Sequence, residues 1–410
     1  MDFLKGNAIV GQSGGPTAAI NATLSGVIRG ALRAKKNGII NILYGMYNGI
    51  EGLLEERLID LTERFEGGCD LELLEQTPAA ALGSCRKKMK SPDDDPKTYQ
   101  RLIELFKKYD IRYFFYIGGN DSMDTVSKLS KYAAVCDYEI KVVGVPKTID
   151  NDLTATDHTP GFGSAAKYVA TTMKELIRDT SVYTIDAVTI VEIMGRDAGW
   201  LTASAALTKL SGGVAPDLIY LPEKPFDPDK FLESVRVALK KHPAVLVAVS
   251  EGIRYADGTY VGASGSKRDA FGHVQLSGAG KVLEWLLKDK IGCKVRSIEL
   301  NLPQRAAGHL LSKCDILESV AVGMGAVRVA ISGNTGVMMT IIRRDTDEYS
   351  SEVGFSEISS IANAVRAVPD EYINSTADGI TDAGIKYLAP LIKGEVAIEY
   401  ENGLPKHIVL

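Results

Sequence analysis

The chain has 410 residues, 45% hydrophobic and 24% charged, the balance of a globular protein long enough for two packed lobes. A formal charge of −5 leaves no basic footprint for nucleic acid, so any anion site has to be locally basic. Five cysteines without a CxxC pair, five scattered histidines and no apolar run of bilayer length argue against a disulfide framework, a histidine metal cluster and a membrane span. The expectation is a cytoplasmic chain whose partners are neither membrane nor nucleic acid.

In chain order, Asn7-Ala8-Ile9-Val10-Gly11 reads as a buried strand running into Gln12-Ser13-Gly14-Gly15-Pro16-Thr17, with a helical stretch over 18–36 behind it. Glycines between strand and helix let backbone N–H groups approach an anion at the positive end of the helix dipole. The same letters also make a plain tight turn. The spacing is neither GxGxxG nor GxxxxGK[ST], which removes the main support for dinucleotide or P-loop binding. Residues 60–97 read as irregular and polar. Within them, Gly83-Ser84-Cys85-Arg86-Lys87-Lys88 sets three cations after a Gly-Ser turn, either within reach of phosphate or solvated on the surface.

A helical pattern over 99–109 leads to the strand Arg112-Tyr113-Phe114-Phe115-Tyr116-Ile117, which ends in Gly118-Gly119-Asn120-Asp121-Ser122 ahead of a helix over 123–132. The next strand, over 140–145, delivers Pro146-Lys147-Thr148-Ile149-Asp150-Asn151-Asp152, and Gly161-Phe162-Gly163-Ser164 then opens a helix reaching 178. Asp150 and Asp152 lie two apart, so only irregular backbone points both at one site. There one carboxylate can take a proton while the other orients it or helps hold a metal. An Asx-rich turn bonded to its own backbone is the alternative.

Alternation continues with a strand over 188–194, then Gly195-Arg196-Asp197-Ala198-Gly199-Trp200 starting a helix. Strands over 218–221 and 244–249 end in Pro222-Glu223 and Ser250-Glu251-Gly252. A helix over 280–288 precedes the strand Lys294-Val295-Arg296, with Pro303-Gln304-Arg305 just beyond. Strand, polar loop and helix repeated in this way predict an α/β fold of two doubly wound parallel sheets, with ligands beyond the carboxyl ends of the strands. The expected division is 1–160, 161–303, and a segment 304–410 that returns to pack on both lobes. Arg196, Arg296 and Arg305 are natural phosphate clamps, although each taken singly also reads as a surface ion pair. Asp150 with Asp152, Asn120 with Asp121, and Glu251 offer a base, a magnesium site and sugar-hydroxyl acceptors. Phosphoryl transfer to a sugar phosphate fits this equipment.

These segments resemble the phosphofructokinase family, and within it the pyrophosphate-dependent branch. The resemblance runs from Val10 to Arg305. It is carried in order by Gly14-Gly15, Gly118-Gly119-Asn120-Asp121-Ser122, Pro146-Lys147-Thr148-Ile149-Asp150-Asn151-Asp152, Met194-Gly195-Arg196, Glu251-Gly252 and Gln304-Arg305. It implies two three-layer lobes with the active site in the cleft between them, 1–160 on the phosphoryl-donor side and 161–303 on the sugar-phosphate side. It further implies that Asp150 takes the proton of the 1-hydroxyl of fructose 6-phosphate, that Thr148 and the Ile149 backbone contact substrate, and that Asp152 supports the reacting centre. Met194, Gly195 and Arg196 correspond to residues that shape the fructose 6-phosphate site, Glu251 to one that holds sugar hydroxyls. Arg296 and Arg305 correspond to 6-phosphate clamps, Arg296 reaching from a neighbouring subunit of a homodimer or homotetramer. Gly14, Gly15 and Arg86 correspond to contacts of the donor.

Two positions bear on the donor. ATP-using relatives carry glycine where this chain has Asp121 and Lys147. A carboxylate beside the path of a nucleotide α-phosphate repels it by on the order of a few kcal/mol at ~4 Å in a partly dry site. Lys147 is expected to compensate Asp121 and to bind the donor, and pyrophosphate with Mg²⁺ fits both changes. Asn120 stands where the family commonly has a magnesium-associated Asp, Leu302 where relatives carry His or Tyr against the sugar phosphate, and Ala187 where ATP-using bacterial relatives have Arg. The other readings are an ATP-dependent kinase of the same fold, a non-catalytic sugar-phosphate-binding homologue, and a nicotinamide dehydrogenase, the last deprived of its GxGxxG.

Overall fold

The computed structural model describes residues 3–182, 184–262, 278–361 and 364–410. The first half of the chain builds a sheet from β1 (Gly6–Gln12), β2 (Ile40–Met46), β3 (Leu58–Asp60), β4 (Ile111–Gly118) and β5 (Lys141–Pro146). β1, β4 and β5 are nearly continuous apolar runs because helices cover both faces of the sheet. A second, all-parallel sheet of four strands follows, from β6 (Ala187–Ile193), β7 (Leu218–Tyr220), β8 (Ala244–Ser250) and β9 (Lys294–Glu299), ordered β7-β8-β6-β9. The chain then returns to the first sheet. β10 (Val337–Arg343) pairs parallel with β5, and β11 (Ser351–Glu357) closes that edge antiparallel, giving the order β11-β10-β5-β4-β1-β2-β3.

In each sheet the strand order reverses beside the strand laid down first, β1 in one and β6 in the other, and the loops splay apart there. Those reversal points face each other across a cleft. The larger lobe is fixed behind it by two helices in backbone contact, Ile20–Lys36 and Lys313–Ile331. A Cβ on Gly26 would lie 2.2 Å from the Val320 carbonyl oxygen, and one on Gly323 would lie 2.2 Å from that of Thr23. Only glycine permits that approach.

Several expectations need correction. Residues 60–97 are not wholly irregular, since Leu61–Arg64 and Leu71–Gln76 are helical, the first capped by the Asp60 carboxylate accepting from the Thr62 and Glu63 amides. After β6 the helix begins only at Trp200 and soon tightens into the 3₁₀ turn Ser204–Ser211. β2, β3, β10, β11 and the helix Lys313–Ile331 were not read from the sequence. Among the described residues no helix is long and apolar enough to cross a membrane, and all five cysteines are free.

Candidate active site

After β1 the Ser13 amide still donates to Ile117 in sheet fashion at 2.9 Å, and the chain then turns through Gly14 at φ +80°, a left-handed conformation that glycine adopts without strain. A Cβ on Gly14 would sit 3.3 Å from Lys147 Nζ, and one on Gly15 3.1 Å from Arg305 Nη1. The turn is therefore a bare backbone cradle with a cation on either side. The neighbouring loop is stitched to it: the Gly14 amide donates to the Cys85 carbonyl at 3.1 Å, and Ser84 Oγ donates to that of Gly14 at 2.6 Å. This brings Arg86 to the cleft.

After β5, the Lys147 amide donates to the Gly118 carbonyl at 2.9 Å, and Lys147 Nζ crosses to the Gly15 carbonyl at 2.6 Å. Thr148 Oγ1 accepts from the Asp150 amide at 3.1 Å. Asn151 takes a left-handed φ of +55° and is locked there by the Thr159 amide donating to its side-chain oxygen at 3.0 Å. That one kink turns Asp150 and Asp152 to the same side, as their spacing requires.

The electrostatics follow from burial. Desolvation pushes the Asp150 carboxyl up, opposed by the charges of Lys147 and Arg196. Desolvation and then the Asp150 charge push Asp152 up to about 7. Burial pulls Lys147 down to about 8, although Asp150 and Asp152 both hold its proton in place. Burial likewise lifts Glu251 to about 7, while its Oε1 accepts from the Gly195 amide at 3.3 Å. Burial thus moves Asp152, Lys147 and Glu251 toward neutral pH and raises Asp150 from its ordinary range, the pattern of an acid–base site.

The cleft encloses about 750 Å³. Gly14, Gly15, Arg86, Asn120 and Asp121 line its larger-lobe side. Lys147, Thr148, Ile149, Asp150 and Asp152 form the floor, Met194, Arg196, Glu251 and Leu302 stand opposite, and the Arg305 guanidinium extends to the Gly15 turn near Arg86. Gly195 lies just behind Met194, bonded to Glu251. Arg296 is not brought to this cleft. It is exposed on β9, beside Asp179, Thr180 and Lys294 at a separate small cavity.

The expectation that Lys147 compensates Asp121 is corrected. Lys147 answers to Asp150 and Asp152, while the ion-pair partner of Asp121 is Lys88, at 3.6 Å. Lys88, one of the three cations read as able to reach phosphate, is in the cleft wall, as is Val365, which was not anticipated. Val365 arrives only because the next amide, of Arg366, donates to the Asp152 carbonyl at 2.8 Å, a tertiary pairing with no local signal.

Among the described residues, buried polar atoms at the cleft without a hydrogen-bond partner include Thr17 Oγ1, Asn120 Oδ1 and Arg196 Nε. The Asn120 amide nitrogen donates to Asp152 at 3.4 Å, which leaves its carbonyl oxygen as an acceptor of the kind a hard divalent cation takes. The free guanidinium N–H of Arg196 suits an anionic oxygen. A larger cavity, about 1140 Å³, opens between the helices Ile20–Lys36 and Lys313–Ile331. Its lining is mostly apolar, and the cations and carboxylates converge on the smaller cleft instead.

The phosphofructokinase family model matches residues 7–330. A Methylococcus capsulatus protein named pyrophosphate–fructose 6-phosphate 1-phosphotransferase is 40% identical over 406 residues, which cover 98% of this chain and 96% of that protein. One of the same name from Xanthomonas campestris is 42% identical over 408 residues, covering 99% and 96%. The crystal structure of a pyrophosphate-dependent phosphofructokinase from Nitrosospira multiformis matches with a TM-score of 0.89 at 39% identity, over 98% of this chain and 96% of that one. In sequence, in fold and in the placing of its charged strand ends, this chain belongs to the phosphofructokinase family.

Proposed function

We propose that the chain transfers a phosphoryl group, reversibly, from pyrophosphate to the 1-hydroxyl of fructose 6-phosphate, a step of glycolysis or gluconeogenesis. The observation that carries the donor assignment is Asp121, a half-buried carboxylate in the wall of the cleft beside Lys88. On this reading its charge and bulk stand in the path of a nucleotide's α-phosphate, which a free diphosphate lacks. The names of the full-length relatives support the same donor and acceptor.

In this reading Gly14, Gly15, Arg86 and Lys147 hold the donor, and Arg196, Glu251 and Arg305 hold the sugar phosphate. Asp150 takes the hydroxyl proton as the sugar oxygen bonds to the transferred phosphorus. The bridging P–O bond breaks, and its electron pair leaves with phosphate. A base with a raised pKa is better matched to that proton than an ordinary carboxylate. Arg196 and Lys147 lie where they can offset charge on the transferred group, the main protein contribution to phosphoryl transfer. Asp152 accepts from Asn120 and stands beside Asp150, so the two carboxyls disfavour each other's ionisation. Asn120 and Asp121 would hold magnesium, which neutralises phosphate charge when bound. Arg296, exposed on β9, is assigned to the sugar-phosphate site of a second subunit in a homodimer or homotetramer, and the compartment is assigned as cytoplasmic.

The test offers fructose 6-phosphate and magnesium with pyrophosphate or ATP in separate reactions. Product is expected with pyrophosphate. A comparable kcat/KM for ATP would overturn the donor assignment.

A further inference from the structure

The loop between Ser84 and the helix Pro96–Lys108 exposes Arg86, Lys87 and Lys88 in a row between two buried side chains. Cys85 and Met89 are buried, with exposures of 4% and 3%. Its backbone is pinned beyond them, Lys128 Nζ donating to the Met89 carbonyl at 3.0 Å and the Tyr99 hydroxyl to that of Lys90 at 2.8 Å. Between these anchors Arg86 and Lys88 both line the cleft, while the charge of Lys87 acts on Asp95 outside it.

Lys88 has one ion-pair partner among the described residues, Asp121 at 3.6 Å, and its side chain is 54% exposed. That separation is too long for a good hydrogen bond, and an ammonium has three donors. Lys147 differs: it is buried and already donates to Gly15. Lys88 is therefore a cation at the donor end with donors to give, carried on a stem long enough to swing.

Resting on the pyrophosphate reading above, we infer that Lys88 is a donor-selecting residue: it clamps the phosphate that departs from pyrophosphate and bridges it to Asp121. The departing phosphate gains charge as the bridging bond breaks, so the contact strengthens along the reaction. A nucleotide offers a phosphate esterified at that end, and the atoms beyond it run into Asp121. Lys88 and Asp121 thus select together, one by attraction and one by exclusion.

The test compares Lys88→Met with Lys87→Met, each of which removes one positive charge from neighbouring positions of the same loop. Lys88→Met should lower kcat/KM for pyrophosphate by about ten- to hundredfold, the range for losing a charge-assisted contact. Its KM for fructose 6-phosphate should stay within about twofold on the same reasoning, Lys87→Met should match wild type, and Lys88→Arg should recover part of the loss. A Lys88→Met enzyme equal to Lys87→Met, or one damaged equally toward both substrates, overturns the assignment while the pyrophosphate reading stands. A wild type that turns over no pyrophosphate overturns both.

Discussion

The ammonium of Lys147 donates to the carbonyl oxygen of Gly15 at 2.6 Å, tying the loop after β5 to the turn after β1. One residue thus couples the loop that carries Asp150 to the cradle assigned to the donor. Burial brings this ammonium down to about 8, so the cation is present at neutral pH and is lost as the pH rises through that value. The kcat/KM for pyrophosphate should therefore have an alkaline limb near pH 8. A bound polyanion favours the charged form, so the limb in kcat should lie higher. Rate profiles from pH 6 to 10 check both, and a kcat/KM level through pH 9.5 would remove Lys147 from donor binding.

The base is tested at Asp150. Asp150→Ser removes the proton acceptor and leaves Arg196, Glu251 and Arg305 in place. It should lower kcat by on the order of 10²–10⁴, with far smaller changes in either KM. A variant keeping more than about half the wild-type kcat, against that range, would strike Asp150 from the mechanism.

What the sequence disclosed and what it hid divide along physical lines. β1, β4, β5, β6 and β8 are locally marked, since each is an apolar run that stops abruptly at glycine and charge. The site was legible because its residues sit at those strand ends. β11 is an edge strand of alternating, half-exposed residues and carries no apolar run. The helix Lys313–Ile331 is apolar on most of its faces, being covered by neighbours, so it shows little amphipathic stripe. Lys147 was assigned the wrong acid because charge complementarity in a sequence does not say which carboxylate is near. Asp150 and Asp152 share its loop, while Asp121 faces the separate loop of Lys88.

His158 gives a prediction about stability. It is buried between two acids, Nδ1 2.8 Å from Asp157 and Nε2 2.7 Å from Glu318, and these partners outweigh desolvation to raise it to about 9. A folded-state pKa above the unfolded value makes the contribution complete below about pH 6.5 and lost as the pH rises toward 9. Its size is on the order of 3 kcal/mol. Urea midpoints should fall between pH 6.5 and 9, and His158→Gln should be less stable at pH 6.5 with a flatter decline. An unchanged slope in the variant would mean the histidine is neutral in the fold.

Donor choice is tested at Asp121. Asp121→Gly removes the charge and bulk held to exclude nucleotides, and also removes the partner of Lys88. Pyrophosphate turnover should fall steeply, because a candidate metal ligand and the anchor of Lys88 go together. ATP turnover should become detectable, though adenine still needs a surface to stack on. Lys147→Gly alone should cripple pyrophosphate use without admitting ATP, since the carboxylate remains in the path. Asp121 and Lys147 have different partners, so their effects couple only through the shared donor and should be closer to additive than those of Asp121 with Lys88. The deciding quantity is the ratio of kcat/KM for ATP to that for pyrophosphate. If the ratio in Asp121→Gly does not exceed that of wild type, exclusion is set elsewhere in the donor pocket, and the carboxylate is there for the metal.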